Sequence, residues 1–186
     1  MIPALLLLPF MAAASALDAD CSALGDPAQA VVCRDPALRA RESEVLQLYR
    51  RAMKALPPAQ RNAQRARQSA WAAERAACAA DPDARACIAD RQGRRIVELR
   101  LALGTLPVTA TATYLCKGRQ STPLTVSYLR SDPPAARIRF GEQHALAFAA
   151  PSGSGARYSA DGVELWEHQG VARFTWQGEE MECPKR

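Results

Sequence analysis

Asp161-Gly162-Val163-Glu164-Leu165-Trp166-Glu167-His168-Gln169-Gly170-Val171-Ala172-Arg173-Phe174-Thr175-Trp176-Gln177-Gly178 decides the fold of the second half of the chain. Its three glycines recur every eight residues, each preceded by Asp or Gln. Six-residue strands joined by two-residue turns produce that spacing, and Asp-Gly is a strong hairpin signal. The pattern predicts strands over 156–160, 163–168, 171–176 and 179–183. Upstream, 112–117, 124–129, 136–140 and 146–149 read as further strands, with turns at Ser131-Asp132-Pro133-Pro134 and Gly141-Glu142. Eight short antiparallel strands point to a small barrel or sandwich.

Working outward, the chain changes character before residue 106. Residues 18–106 are rich in Ala, Arg, Leu and Gln, all strong helix formers. Asp26-Pro27 and Asp35-Pro36 each read as an N-cap with proline at the first helical position. Pro57-Pro58 and Asp81-Pro82-Asp83 mark later breaks, so helices are expected over about 27–32, 36–56, 59–79 and 84–103. Leu38, Val45, Tyr49, Ala52, Met53 and Leu56 form one apolar stripe. Ala63, Ala66, Ala70, Trp71 and Ala77 are the expected inward face of the third helix, and Ile88, Ile96, Leu99 and Leu103 that of the fourth. Short breaks between such helices favour antiparallel neighbours. The fold class is therefore α then β in two domains, a small disulfide-bonded helical bundle followed by an eight-stranded antiparallel β-barrel or sandwich. The expected divisions are a leader at 1–16, a helical domain at 17–105, a linker at 106–110 and a β domain at 111–186.

The leader reading rests on an apolar 1–16 segment ending in Ala14-Ser15-Ala16, an A-x-A cleavage signature. It lacks a positive n-region, because no Lys or Arg precedes Arg34. The segment is too short to cross a bilayer, and no later apolar run is long enough. Acylation at Cys21 is disfavoured because Asp20 stands where a small residue is needed. A periplasmic or secreted protein is expected, cleaved near Ala16. In that compartment six cysteines read as three disulfides, with fifteen connectivities to choose from. Cys78 and Cys87 flank the Asp-Pro-Asp turn, where two antiparallel helices meet. The break at Gly25-Asp26-Pro27 lets Cys21 reach Cys33. Cys116 and Cys183 lie on the first and last strands. No CxxC pair or HxxxH spacing favours a metal, and no cofactor is expected.

The net charge of +5 sits mainly in the first half, where 15 Arg/Lys in residues 17–107 face 11 Asp/Glu. These charges are interleaved, as on solvated helix faces, and an exported chain has little access to nucleic acid, so none is expected as a partner. Enzymatic chemistry has little to draw on. The chain has two histidines and no G-x-S-x-G elbow, and no third group orients a Ser154–His168 pair.

Two resemblances sharpen this reading. Cys33-Arg34-Asp35-Pro36-Ala37-Leu38, Leu48-Tyr49-Arg50-Arg51-Ala52, Gln68-Ser69-Ala70-Trp71, Glu74-Arg75-Ala76-Ala77-Cys78, Ala86-Cys87-Ile88 and Arg95 resemble the LprI N-terminal domain family, an exported helical module, over about residues 20–100. Tyr49, Trp71 and Arg75 are expected to pack within the bundle rather than to form a binding patch. Tyr114-Leu115-Cys116-Lys117-Gly118, Val126-Ser127-Tyr128, Ser152-Gly153-Ser154-Gly155-Ala156-Arg157-Tyr158, Trp166-Glu167-His168 and Cys183 resemble the MliC family, inhibitors of C-type lysozyme, over about residues 111–184.

The second resemblance implies an eight-stranded antiparallel barrel, a C-type lysozyme as protein partner, and a loop that enters the enzyme's cleft. The family's inserted serine falls on Ser154. Its second contact, a lysine in W-x-K-G, falls on His168, with Gln169 at the glycine. Ser152 and Gly155 shape the loop, while Arg157 and Tyr158 support it from the following strand. Imidazole titrates near about pH 6.5, so a contact relying on charge at His168 is expected to weaken from about pH 6 to 8. The helical half is left for envelope anchoring or a second envelope partner. The competing reading is a structural or adhesion module without lysozyme inhibition.

Overall fold

The computed structural model describes Cys21 and residues 26–186. The 1–16 segment read as a leader, with its expected cleavage point, lies outside the described residues. Helices α1 (Pro27–Arg34), α2 (Pro36–Ala55), α3 (Pro58–Ala77) and α4 (Ala84–Ala102) precede eight strands, with a 3₁₀ turn at Cys78–Ala80. The Asp-Pro signals act as read. Asp26 accepts from the Ala28 amide at 2.9 Å, and Asp35 from Ala37 and Leu38 at 2.8 and 3.2 Å. Proline follows each cap at the first helical position, where its missing N–H costs nothing.

The Leu38 amide and the Arg85 guanidinium hold the Asp35 carboxyl below its ordinary value of 3.8. A depressed carboxyl adds stability above its unfolded pKa and loses it as pH falls through the folded one. Asp35→Asn is therefore expected to flatten the acid limb of the stability profile from about pH 5 downward. Urea midpoints taken across that range measure it. Parallel limbs for parent and variant would contradict it.

The bundle holds two apolar clusters. Ala28, Val32, Leu38, Cys78 and Ile88 form one; Val45, Leu48, Ala52, Trp71, Ile96 and Leu99 form the other. Polar side chains are buried beside these clusters, and they correct the reading of α3. Ala63, Ala66, Ala70 and Ala77 are exposed, whereas Gln64, Trp71 and Arg75 face inward. The reason is a set of paired buried charges. Arg75 donates to Glu42 and Asp26, and Gln92 donates to Glu42 at 2.7 Å. Arg95, 1% exposed, donates to Gln64, Gln68 and Glu98. Each buried guanidinium thus has acceptors, without which its burial would be strongly destabilising. Small alanines fit the solvent face at no cost to the helix. Disulfides join Cys21–Cys33, Cys78–Cys87 and Cys116–Cys183.

Strands β1 (Val108–Leu115), β2 (Pro123–Leu129), β3 (Ala135–Phe140), β4 (Gln143–Ala149), β5 (Ala156–Ala160), β6 (Val163–His168), β7 (Val171–Trp176) and β8 (Glu179–Pro184) form one antiparallel meander in sequence order. β1 begins inside the stretch read as a linker, because Val108 pairs with Leu129. Gln169-Gly170 and Gln177-Gly178 have positive φ at both positions, 51° and 81°, then 50° and 87°, the backbone of type I′ turns. The curled sheet is a half-barrel. Its β1–β8 seam carries the Tyr114↔Lys185 bridge, the Lys117 amide to Glu182 carbonyl bond at 3.0 Å, and the Cys116–Cys183 bond. Tyr114, Leu124, Val126, Ile138, Leu165 and Phe174 fill it.

The halves share a fourth cluster. Val97 of α4 is buried with Leu129, Ala135 and Phe148 of the sheet, and Leu101, Leu106 and Leu146 pack around them. Gly93 lets α4 come close here: a Cβ on it would sit 2.8 Å from Pro133 Cδ. The Arg94 guanidinium lies 4.7 Å from the Phe148 ring centre. Among the described residues no helix is long and apolar enough to cross a membrane.

Candidate functional site

Strands β4 and β5 pair only at Phe148↔Ser159 and Ala149↔Tyr158, and the chain between them stands out from the sheet. Residues 151–155 are all exposed there. No apolar side chain anchors this Ser/Gly segment, so hydrogen bonds to its backbone must fix it. The Ser152 hydroxyl and the Trp166 indole N–H, the latter at 2.9 Å, both donate to the Ser154 carbonyl. With that carbonyl doubly held, the Ser154 hydroxyl itself has no hydrogen-bond partner among the described residues and faces solvent.

Gly155 is the fixed point of the loop. Its φ is +69°, and a Cβ there would lie 2.1 Å from the Glu167 carbonyl oxygen and 3.2 Å from His168 Cβ. Only glycine allows that approach. The contact also lays the loop along the end of β6, so Ser152, Ser154, Gly155 and His168 share one edge. His168 is exposed beside the Gln169-Gly170 turn, and it makes no hydrogen bond or ion pair among the described residues.

Register arranges the flank. Arg157 pairs with Trp166, Trp166 with Arg173, and Arg173 with Glu182, one row across β5 to β8 on the outer face. Arg157 donates to Glu164 at 2.7 Å, which raises its already high pKa. The Arg173 guanidinium carbon stands 5.3 Å from the Trp166 ring centre, within cation–π range. Lys117 first and Arg173 to a lesser extent hold the Glu182 carboxyl below its ordinary range. Tyr158 turns inward instead, its ring 5.7 Å from that of Tyr128. Burial pushes the Tyr158 phenol up, and it does the same for Tyr114. These phenols stay neutral at physiological pH, and the Glu167 carboxylate, whose charge also acts on Tyr114, accepts from the Gly170 amide at 3.1 Å.

Arg173 was absent from the sequence reading. A signal for it existed, since Trp166 and Arg173 stand three residues either side of the Gln169-Gly170 turn and must face each other across a two-residue hairpin. In the helical half, Trp71 and Arg75 are 7% and 8% exposed. The Trp71 indole donates to the Arg91 carbonyl at 2.9 Å, and Tyr49 packs on the adjacent cluster. These three residues are structural. Among the described residues no group of His, Cys, Asp and Glu is arranged to hold a metal ion.

The edge can therefore offer a hydroxyl that both donates and accepts, on a backbone held from two sides. A permanent cation rests on the tryptophan that holds it. Residues 114–182 match the sequence model of the family described as membrane-bound lysozyme-inhibitor of c-type lysozyme. The proteins called lipoprotein LprI in Mycobacterium bovis and Mycobacterium tuberculosis are each 34% identical over 165 residues, covering 88% of this chain and 82% of theirs.

Proposed function

Because the chain belongs to the family of the lipoprotein LprI proteins and carries an MliC region in its second half, we propose that it is an exported inhibitor of C-type lysozyme. Its 152–158 loop enters the enzyme's active-site cleft and so protects peptidoglycan. The observation that carries this reading is the unengaged Ser154 hydroxyl on a carbonyl held by Ser152 and Trp166. A loop fixed before binding gives up little conformational entropy on association.

The chemistry of the target supplies the complement. Retaining lysozymes work with two carboxyl groups, one held protonated and one ionised. The Ser154 hydroxyl donates to the ionised carboxylate and accepts from the protonated acid. A cation alongside adds a charge-assisted bond to the ionised group. The family's lysine position holds His168 here, and Arg173 on Trp166 brings a charge independent of pH to the same edge. Arg157 stays with Glu164 and supports the loop from β5, and Tyr158 does so from the core.

Inhibition constants for the full-length protein against a C-type lysozyme acting on cell walls test this. Ser154→Ala and Arg173→Ala are each expected to weaken inhibition by roughly tenfold, the loss of one good polar contact. His168→Lys is expected to tighten it. A full-length protein that does not inhibit at micromolar concentration would sink the reading.

The same reading covers the domains and the compartment. The 17–105 segment is an LprI-like helical module and the sheet from Val108 onward an MliC-like one, acting in the cell envelope or outside it. Cys21 is bonded to Cys33. Its sulfur cannot also carry a thioether-linked lipid, which favours export without acylation at that position.

A further inference from the structure

We propose that the cleft between the helices and the sheet binds an acidic saccharide of one or two units, through guanidinium groups contributed by both halves. This site is separate from the loop edge, and the proposal does not depend on lysozyme inhibition. The cleft encloses about 600 Å³, within the roughly 300–1,000 Å³ of small-molecule sites. One wall is α3 and α4, bearing Arg67, Arg91, Arg94 and Arg95; the other is the outer face of β3 and β4, bearing Arg137 and His144.

Five arginines there face four carboxylates, the lining Glu74, Glu98 and Asp161 together with Asp90, which pairs with Arg94, an excess of +1 with histidine neutral; of the four, Asp161 is left without an ion pair among the described residues. The internal pairing leaves that excess in identifiable places. Arg91 pairs with Glu74 at 3.3 Å and Arg95 with Glu98 at 2.8 Å, while Arg94 is taken by Asp90 and the Phe148 ring. Arg67 and Arg137 have no hydrogen-bond or ion-pair partner among the described residues. They stand on opposite walls, one from each half. Low-dielectric walls focus such a field into the gap between them.

The lining sets the rest of the ligand's chemistry. Between the guanidiniums lie small or aliphatic side chains, Ala70, Ala102, Ala145, Leu101 and Leu146. The Trp71 and Phe148 rings at the cleft are 7% and 6% exposed, so neither offers a bare face for stacking a flat aromatic ligand. A sugar has a polar hydroxyl rim and apolar C–H faces that match this alternation. Its phosphate or carboxylate accepts from Arg67 or Arg137 in the forked geometry that guanidinium favours. The Val97–Phe148 cluster holds the walls at a set separation, so the site is formed before the ligand arrives.

Calorimetric titration of the full-length protein tests this. The probes are N-acetylglucosamine 6-phosphate and N-acetylmuramic acid, with N-acetylglucosamine and inorganic phosphate as controls. At least one acidic sugar is expected to bind at least about tenfold more tightly than either control; which one is tighter identifies phosphate or carboxylate as the natural group. Arg67→Gln and Arg137→Gln are each expected to weaken that binding by about tenfold, and affinity is expected to fall as salt rises. Both variants are exposed replacements, and unchanged circular dichroism and thermal unfolding would show that the molecule stays folded. Binding of inorganic phosphate or of the neutral sugar as tight as that of the acidic sugars would overturn the proposal. So would unchanged affinity in the double variant, or no binding of either acidic sugar at millimolar concentration.

Discussion

Gly155→Ala is expected to remove most of the inhibitory activity while leaving the sheet folded. The added methyl would meet the Glu167 carbonyl oxygen at 2.1 Å, a backbone atom that cannot rotate away. The residue's φ of +69° is itself unfavourable for any side chain but glycine's. The loop must then lift from β6, breaking the Trp166 hold on Ser154 and moving its hydroxyl out of position. Strain at such a position costs about 1–3 kcal/mol of stability. Losing the central contact of an interface costs about 2 kcal/mol or more, roughly a thirtyfold weaker inhibition constant. Gly153→Ala is the matched control: its φ is ordinary and a Cβ there meets nothing within 4 Å. It is expected to be neutral in both assays. Inhibition constants and thermal unfolding of the two variants check this, and similar inhibition by both would show that the pinned loop does not carry the activity.

Cys116→Ala with Cys183→Ala is expected to give the largest loss of stability of any change to the sheet. The two cysteines are 67 residues apart in sequence, and the β1–β8 seam has few other bonds. Removing the bridge restores to the unfolded chain the freedom of a long loop, about 4 kcal/mol in the chain-entropy account. That is a large part of the roughly 5–15 kcal/mol that holds an ordinary domain together. Cys78 and Cys87 are only 9 apart, and the same account gives their removal roughly 3 kcal/mol. Urea unfolding followed by tryptophan fluorescence separates the two, because Trp166 and Trp176 report the sheet and Trp71 the bundle. An equal or smaller loss at the seam would mean that the β1–β8 edges hold without their staple.

The parts of this molecule that a reader could take from the chain are those governed by neighbours in sequence. The eight-residue glycine spacing located β5 to β8 within a residue, since turn chemistry at Gln169-Gly170 and Gln177-Gly178 is local. The Asp-Pro caps did the same for the starts of α1 and α2. Where burial depends on distant partners, the pattern misled. Alanines on α3 looked like an inward face, but Arg75 needs Glu42 from α2 and Arg95 needs Gln64 from α3, so polar residues turn in. Val108 read as linker because nothing in its own neighbourhood shows that Leu129 lies beside it.

The candidate site divides along the same line. Ser152, Ser154 and Gly155 were legible from a short motif, whereas Arg173 depends on cross-strand register. The cleft joining α3 and α4 to β3 and β4 brings together residues from Arg67 to Asp161. No local pattern announces such a surface.

The cluster joining Val97 to Leu129, Ala135 and Phe148 bears on any attempt to use the halves separately. Cutting the chain after α4 would uncover Leu129, Ala135, Leu146 and Phe148 together, turning a packed seam into a contiguous greasy patch. Patches of that kind drive self-association. An excised sheet half is thus expected to precipitate or pair with itself at concentrations where the intact chain stays dispersed. The helices serve the sheet as a permanent cover, whatever else they bind.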